Sequence, residues 1–400
     1  MKAQFYRKIL DNGMTIFLEK RELPIVSVIF AVRNGGINEK PEEKGISHFI
    51  EHMLYKGTPK RNAKQIAEEI EKKGGELNGF TDEIVTAYWS RIPSKHLDTA
   101  LDVLGDMIKN PLFNKEELEK ERKVIFEEIK MRKDNPQIYV MDSIQKYLYS
   151  GTLGLNLIGS YKTMNSITRE DLIKRFNLVY QPNNLILGVV GDADFDKIVN
   201  FAENFFGKNK GKIPKIPFSK MNRSFIEKRK GVDQANLIFA YHTPLANSFE
   251  SYVAQILNYL MAVGMSSRLF SEIREKRNLA YSIKGESNIN KFFSYNTIYV
   301  GTKKENVNQV KSLILKEFEN IQKSLTEKEL NQTKEQILGN YYLSSEDSQT
   351  HLFNLLSYEL DGDSRNFYEF EENIKKIKVK DVKKLSKIKE YSFFALIPEG

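Results

Sequence analysis

Apolar and β-branched residues cluster near the start of the chain in a pattern that predicts strands. Residues 14–18 and 25–32 are two such runs, and the turn residues Asn12 and Gly13 precede the first. Glycine, proline and capping residues then divide the chain into helices. The predicted helices are one that begins after Gly45 and ends at Gly57, then 64–73, 97–109 and 115–133; two short strands are predicted within 77–92 and another at 184–190.

The second half of the chain repeats this order of elements. A strand is predicted at 235–241, followed by a helix at 252–260, a further helix after the loop 264–267, and strands across 280–300. Residues 325–330 also echo 113–118, because each segment opens a long helix. A repeat of about 200 residues indicates two similar domains rather than a solenoid. We predict the domains at 1–206 and 221–400, with 207–220, rich in Lys, Gly and Pro, as the linker.

The predicted fold class is α+β, with two homologous domains that each pack helices on one face of a mainly antiparallel sheet. A length of 400 residues with 40% apolar residues is enough for two hydrophobic cores. The chain contains no cysteine, which excludes disulfides, zinc–thiolate sites and thiol nucleophiles. Histidine and carboxylate therefore remain as metal ligands.

The net charge of +8 does not by itself indicate nucleic-acid binding. Lysines alternate with glutamates, as in residues 116–123, and this is typical of a solvated helical face. The first twenty residues lack the layout of a signal peptide, and the apolar runs are too short to cross a bilayer. We therefore expect a cytoplasmic protein without a membrane or nucleic-acid partner.

A His-x-x-Glu-His motif, formed by His48, Glu51 and His52, lies in the first predicted helix. Histidines four residues apart lie about 40° apart around a helix, so both imidazoles can reach one ion. Glu51 projects from the same side and can act as general base on water bound there. The order reverses the more familiar His-Glu-x-x-His motif but satisfies the same geometry. The motif predicts a zinc hydrolase site.

Such a site needs a third protein ligand. His96, His242 and His351 are candidates, although none lies in a comparable motif. The helix predicted at 115–133 offers Glu121 and Glu128, which lie about two turns apart and therefore on one face.

Together these residues resemble the pitrilysin family of inverted-motif zinc peptidases, which includes insulin-degrading enzyme and the mitochondrial processing peptidase. The resemblance covers essentially the whole chain and suggests a short two-domain bacterial-type member, with half of the family's clamshell. It implies one Zn²⁺ per chain, with Glu128 as third ligand and Glu121 as an acidic residue behind the ligands. It also implies a strand that aligns the peptide substrate, formed by Leu77, Asn78, Gly79 and Phe80.

The second half has no His-x-x-Glu-His motif and is expected to be metal-free. It carries Arg274 and Tyr281 at a spacing similar to that of an arginine and a tyrosine in the family. The resemblance implies that both residues contact the substrate and stabilise the oxyanion. A cation and a phenol are suitable donors for that charge.

The expected activity is zinc-dependent endoproteolysis of unstructured oligopeptides inside a dimer chamber. The resemblance implies a homodimer in which each zinc site uses Arg274 and Tyr281 of the partner. A heterodimer with a metal-free paralogue is the alternative assembly. The alternative functions are a processing peptidase for one precursor and a non-catalytic scaffold subunit.

Overall fold

In the computed structural model, which describes residues 4–246 and 248–399, the strands form two separate sheets. The first sheet contains β1 (Gln4–Ile9), β2 (Thr15–Lys20), β3 (Ile25–Val32), β4 (Glu76–Thr81), β5 (Thr86–Pro93) and β6 (Leu185–Gly191). The second contains β7 (Ser224–Arg229), β8 (Ala235–His242), β9 (Ala280–Ile289), β10 (Ser294–Thr302) and β11 (Ser392–Pro398).

Helices connect these strands in both halves of the chain. The first half contains α1 (Ile46–Leu54), α2 (Ala63–Glu71), α3 (Leu97–Lys109), α4 (Lys115–Asp134), α5 (Pro136–Ser143), α6 (Gln145–Leu148), α7 (Tyr161–Ser166), α8 (Arg169–Val179) and α9 (Phe195–Phe205). The second contains α10 (Phe249–Ala262), α11 (Val307–Ser324), α12 (Glu327–Glu346), α13 (Ser348–Asp361), α14 (Phe370–Lys376) and α15 (Val379–Leu385).

The two sheets share one topology. The first has the order β1-β2-β6-β3-β5-β4 and the second β7-β11-β8-β10-β9. In each sheet one pair is parallel, β2 with β6 and β7 with β11, and the remaining pairs are antiparallel. The second sheet therefore repeats the first without β1. This confirms the predicted α+β class and the predicted repeat.

The chain divides into two compact units, and neither is continuous in sequence. The first consists of residues 1–130, 151–217 and 345–356, and the second of 131–150, 218–344 and 357–400. The chain leaves the first unit after Pro217, inside the segment predicted as the linker. The domain boundaries at 206 and 221 were inferred from the repeat in the sequence, and they remain a prediction.

In the first unit helices cover both faces of the sheet, whereas the sequence predicted helices on one face. Alternate residues of β3 enter a core shared with α1, α3 and α8. On the opposite face lies the segment 345–356, where Ser348 Oγ is 3.1 Å from Ser27 Oγ. The Phe353 ring packs edge-on against Trp89, with centroids 5.8 Å apart. A short helical segment from far along the chain thus completes this unit.

The second unit is built in the same way. Its core joins β8 and β10 to α10, α11 and α12. The opposite face receives the segment 131–150, in which Tyr147 stacks on Phe394 of β11 with ring centroids 5.2 Å apart. Arg229 lies over the Tyr139 ring, with its guanidinium carbon 3.9 Å from the centroid.

Most predicted elements are present, but several observed elements, among them the helices α11 and α13, were not predicted. β1 and β7 were not predicted, because both are largely exposed and carry charged residues between their apolar ones. The helix expected after the loop 264–267 contains a π-helical turn at Phe270–Glu275. Within the described ranges, no helix combines the length and apolar character needed to cross a bilayer.

Candidate metal and active site

A buried acid outside the motif anchors the start of α1. Gly45 has a left-handed backbone (φ 95°), which turns the chain into the helix. The Glu39 carboxylate, itself fully buried, accepts the backbone N–H groups of Gly45 at 2.8 Å and Ser47 at 2.7 Å. It thereby satisfies N–H groups that a helix start leaves without partners. The buried side chains of Phe49 and Met53 fix which face of α1 meets the core.

Three side chains bring their ligand atoms together. His48 Nε2 lies 3.3 Å from His52 Nε2 and 3.4 Å from Glu128 Oε2, while His52 Nε2 lies 3.8 Å from the same oxygen. Ligand atoms about 2.0–2.1 Å from a tetrahedral zinc ion lie about 3.3–3.4 Å from each other. Within residues 4–246 and 248–399, this is the one group of three or more such side chains with ligand atoms within 4.8 Å of one another. The donor set and its spacing fit zinc.

Glu121 orients one of these histidines. Its Oε2 lies 3.0 Å from His52 Nδ1, which directs His52 Nε2 toward Glu128. Its Oε1 lies 2.6 Å from Lys56 Nζ. Burial alone would raise the pKa of Glu121, but hydrogen bonds from His52 and Lys56 outweigh burial and lower the pKa below its usual value. Glu121 is therefore an ionised acceptor that keeps the proton of His52 on Nδ1.

The α4 helix presents Glu121 and Glu128 from one face, as their spacing predicts, whereas Glu127 is exposed. Arg122 holds this helix in place. Its guanidinium donates to the backbone oxygens of Met164 and, at 3.0 Å, Ile167, and lies over the ring of Phe49 in α1. No motif or spacing in the sequence singled out Arg122.

Glu51 faces strand β4 at the edge of the sheet. Its Oε2 accepts a hydrogen bond of 2.8 Å from Thr81 Oγ1. A Cβ atom on Gly79 would lie 3.4 Å from Glu51 Oε1 and only 2.8 Å from the backbone oxygen of Ala87, so glycine leaves room beside the carboxylate. β4 pairs with β5 on one side only. The four residues predicted to align a peptide, Leu77, Asn78, Gly79 and Phe80, all lie on this edge strand.

The other candidate histidines lie outside this group. His242 Nε2 is 3.0 Å from the backbone oxygen of Met221, and His351 Nε2 is 2.6 Å from the Glu19 carboxylate. His96 precedes the first residue of α3. Among the candidates, Glu128 is the one whose carboxylate lies near the Nε2 atoms of both motif histidines, whereas Glu121 contacts His52 at Nδ1.

Arg274 and Tyr281 lie together in the second unit. Arg274 belongs to the π-helical turn, where its Nη1 donates to the Tyr281 backbone oxygen at 3.0 Å and its guanidinium covers the Phe270 ring. Tyr281 is 48% exposed, and its ring lies against Gly301, where a Cβ atom would come within 2.4 Å of the phenol oxygen. π-Helical turns often occur at functional sites.

The second unit carries different residues where the repeat places its counterpart of the metal site. α12 corresponds to α4 through the matching segments 113–118 and 325–330, so Asn340 takes the place of Glu128. Its Nδ2 donates to the Tyr259 hydroxyl of α10 at 3.2 Å. An amide and a phenol do not provide the imidazole and carboxylate ligands that zinc uses.

Family models match most of the chain. The model described as insulinase (peptidase family M16) matches residues 15–160, and the model described as the peptidase M16 inactive domain matches residues 166–337. An uncharacterized zinc protease of Rickettsia felis is 35% identical over 352 residues, which cover 86% of this chain and 85% of the relative.

Two solved structures have the same fold. A protease from Helicobacter pylori aligns with a TM-score of 0.92 at 21% identity, over 99% of this chain and all of the other. A chain of complex III from Candida albicans aligns with a TM-score of 0.88 at 19% identity, over 98% of this chain and 95% of the other. At these identities the likeness concerns the fold alone. The family models and the Rickettsia relative establish that this chain belongs to the M16 (insulinase, or pitrilysin) family of peptidases.

Proposed function

We propose that the protein is a zinc-dependent endopeptidase that hydrolyses peptide bonds in unstructured oligopeptides. The observation that carries this proposal is the cluster of His48 Nε2, His52 Nε2 and Glu128 Oε2 at separations of 3.3–3.8 Å, with Glu51 on the same helix as the histidines. The zinc-protease name of the Rickettsia relative supports it.

His48, His52 and Glu128 would hold the ion. When bound, zinc supplies a Lewis acid that polarises the peptide carbonyl and makes water more acidic. Glu51 then acts as the general base: it takes a proton from the attacking water and passes it to the leaving amine nitrogen. The hydrogen bond from Thr81 fixes the Glu51 carboxylate for both transfers.

The substrate binds in extended form along β4. Leu77, Asn78, Gly79 and Phe80 offer backbone groups on the open side of an edge strand. Strand addition relies on main-chain hydrogen bonds and therefore places little demand on the sequence of the peptide. This mode excludes folded proteins, whose backbone groups are already paired, and favours unstructured peptides.

The second part of the proposal concerns assembly. A homodimer would place Arg274 and Tyr281 of one chain at the zinc site of its partner, where they stabilise the oxyanion. Tyr281 is half-exposed and lies beside Arg274, and a phenol and a cation are suited to this role. A heterodimer with a metal-free paralogue is the alternative.

A non-catalytic scaffold subunit is the competing function, since the fold also occurs in a chain of complex III. The intact ligand group and the presence of Glu51 favour the peptidase, because a scaffold has no need for either.

Cleavage of quenched fluorescent peptides tests the proposed activity. We expect the wild-type protein to cleave unstructured peptides, to lose this activity when a chelator removes zinc, and to regain it when zinc is restored. Denatured and native forms of one small protein serve as matched substrates, and only the denatured form should be cut. Absence of cleavage by zinc-loaded protein across a diverse peptide library would contradict the proposal.

Mixing two inactive variants tests the shared site. A Glu51→Gln chain retains Arg274, and an Arg274→Ala chain retains Glu51, so a mixed dimer has one intact composite site. If chains exchange at random in an equal mixture, about half of the dimers are mixed, and each mixed dimer has one intact site of two. The mixture should therefore recover about one quarter of the wild-type activity. A mixture of Glu51→Gln and Glu128→Gln chains is the control, because both changes damage the zinc half and no intact site forms. A monomer with full activity would refute the shared site.

A further inference from the structure

We propose that Lys56 is a positioning residue that sets the zinc affinity of the site through Glu121. This inference rests on the proposed function, because it concerns how the chain prepares His52 for the ion. Lys56 lies one helical turn after His52, just past the end of α1, where its backbone N–H donates to the Met53 oxygen at 3.1 Å.

Lys56 and His52 hold the two oxygens of one carboxylate. Glu121 Oε1 is 2.6 Å from Lys56 Nζ, and Glu121 Oε2 is 3.0 Å from His52 Nδ1. The Glu121 side chain is only 8% exposed, so little water can replace a lost partner. With both oxygens engaged, the carboxylate cannot rotate without breaking a charge-assisted hydrogen bond. The His52 ring is therefore held with Nε2 toward His48 and Glu128.

Lys56 also balances the charge around the site. Glu51, Glu121 and Glu128 carry three negative charges, and a divalent cation offsets only two of them. The ammonium group of Lys56 supplies the remaining positive charge beside Glu121. Without Lys56, the buried Glu121 carboxylate would keep His52 as its one charge-assisted partner. The free-energy cost of burying the charge would then favour another conformation of the Glu121 side chain.

The charge of Lys56 and its positioning of Glu121 act in opposite directions on zinc affinity. The positive charge of Lys56 repels a cation, so its removal alone would tighten binding. The loss of Glu121 positioning weakens binding, since removal of partners behind metal ligands costs about 10- to 100-fold in affinity. We infer that positioning prevails, because Lys56 Nζ contacts the Glu121 carboxylate directly, at 2.6 Å.

The test is the dissociation constant of zinc, measured by competition with a chromogenic chelator on the full chain. We expect Lys56→Met to weaken zinc binding about tenfold and Lys56→Arg to restore it, because arginine keeps a charged donor. Lys60→Met is the matched control: Lys60 is exposed, lies 3.9 Å from Asp102, and should leave the constant unchanged.

A double variant distinguishes a specific effect of Lys56 on Glu121 from a general loss of folding. In a Glu121→Gln background, Lys56→Met should have little further effect on zinc affinity, because its partner charge is gone. Unchanged or tighter zinc binding in Lys56→Met, or an equal loss with and without Glu121, would overturn the role of Lys56. Failure of the wild-type protein to bind zinc would instead overturn the proposed function.

Discussion

We expect the Glu51→Gln variant to retain its zinc and to cleave peptides about 10²- to 10⁴-fold more slowly than the wild type, the usual contribution of a general base. Glutamine has nearly the same shape as glutamate and can still accept the hydrogen bond from Thr81 through its amide oxygen. It cannot take a proton from water near neutral pH. The loss should therefore appear in kcat, with little change in KM.

The measurement pairs kcat on a quenched peptide with zinc content by elemental analysis. Glu71→Gln is a suitable control, because this glutamate lies exposed at the end of α2. Its substitution should change neither quantity. Normal cleavage by zinc-loaded Glu51→Gln would show that another group accepts the proton. Loss of zinc together with activity would mean that the variant reports on the metal site rather than on proton transfer.

The helical part of the site follows from the sequence because its geometry is local. The spacing of His48, Glu51 and His52 determines which side chains share a face once the segment is helical, and α1 and α4 form as predicted. The same reasoning places Glu121 and Glu128 on one face, although spacing alone did not choose between them. That choice depends on how α4 meets α1.

Glu39, Thr81 and Lys56 support the site and were not predicted, because the sequence does not show which partner a polar side chain takes. Glu39 binds the start of α1, and Thr81 on β4 binds Glu51. Glu121 meets Lys56 across 65 residues of chain, although the position of Lys56 one turn after His52 offered a signal. A charged side chain looks the same in sequence whether it is solvated or supports a neighbour.

The fold, like the site, was predicted in part. Strands with buried apolar runs, such as β3 and β6, stand out in the sequence, whereas the exposed strands β1 and β7 do not. The packing of residues 345–356 on the first sheet and of 131–150 on the second has no sequence signature. Both segments lie in helical stretches of ordinary composition, and only tertiary packing decides which sheet they cover.

The second large effect is expected for Glu128→Gln. Loss of a residue that only hydrogen-bonds to a metal ligand weakens metal binding about 10- to 100-fold, and loss of the ligand Glu128 should weaken zinc binding more than that. The substitution removes the only negative charge among the three proposed ligands. A neutral amide oxygen is a poorer ligand for zinc than a carboxylate. Cleavage at limiting zinc should be lost, and excess zinc should restore part of it, because Glu51 remains in place.

Zinc affinity and cleavage as a function of zinc concentration check this prediction, and two neighbours on α4 give the comparison. Glu127→Gln should behave as wild type, since Glu127 is exposed on another side of the helix. Glu121→Gln should lie between the two, because it alters only the partner of His52. If zinc binding survived in Glu128→Gln but failed in Glu121→Gln, Glu121 would be the third ligand. The order of these three variants therefore distinguishes the ligand from its support.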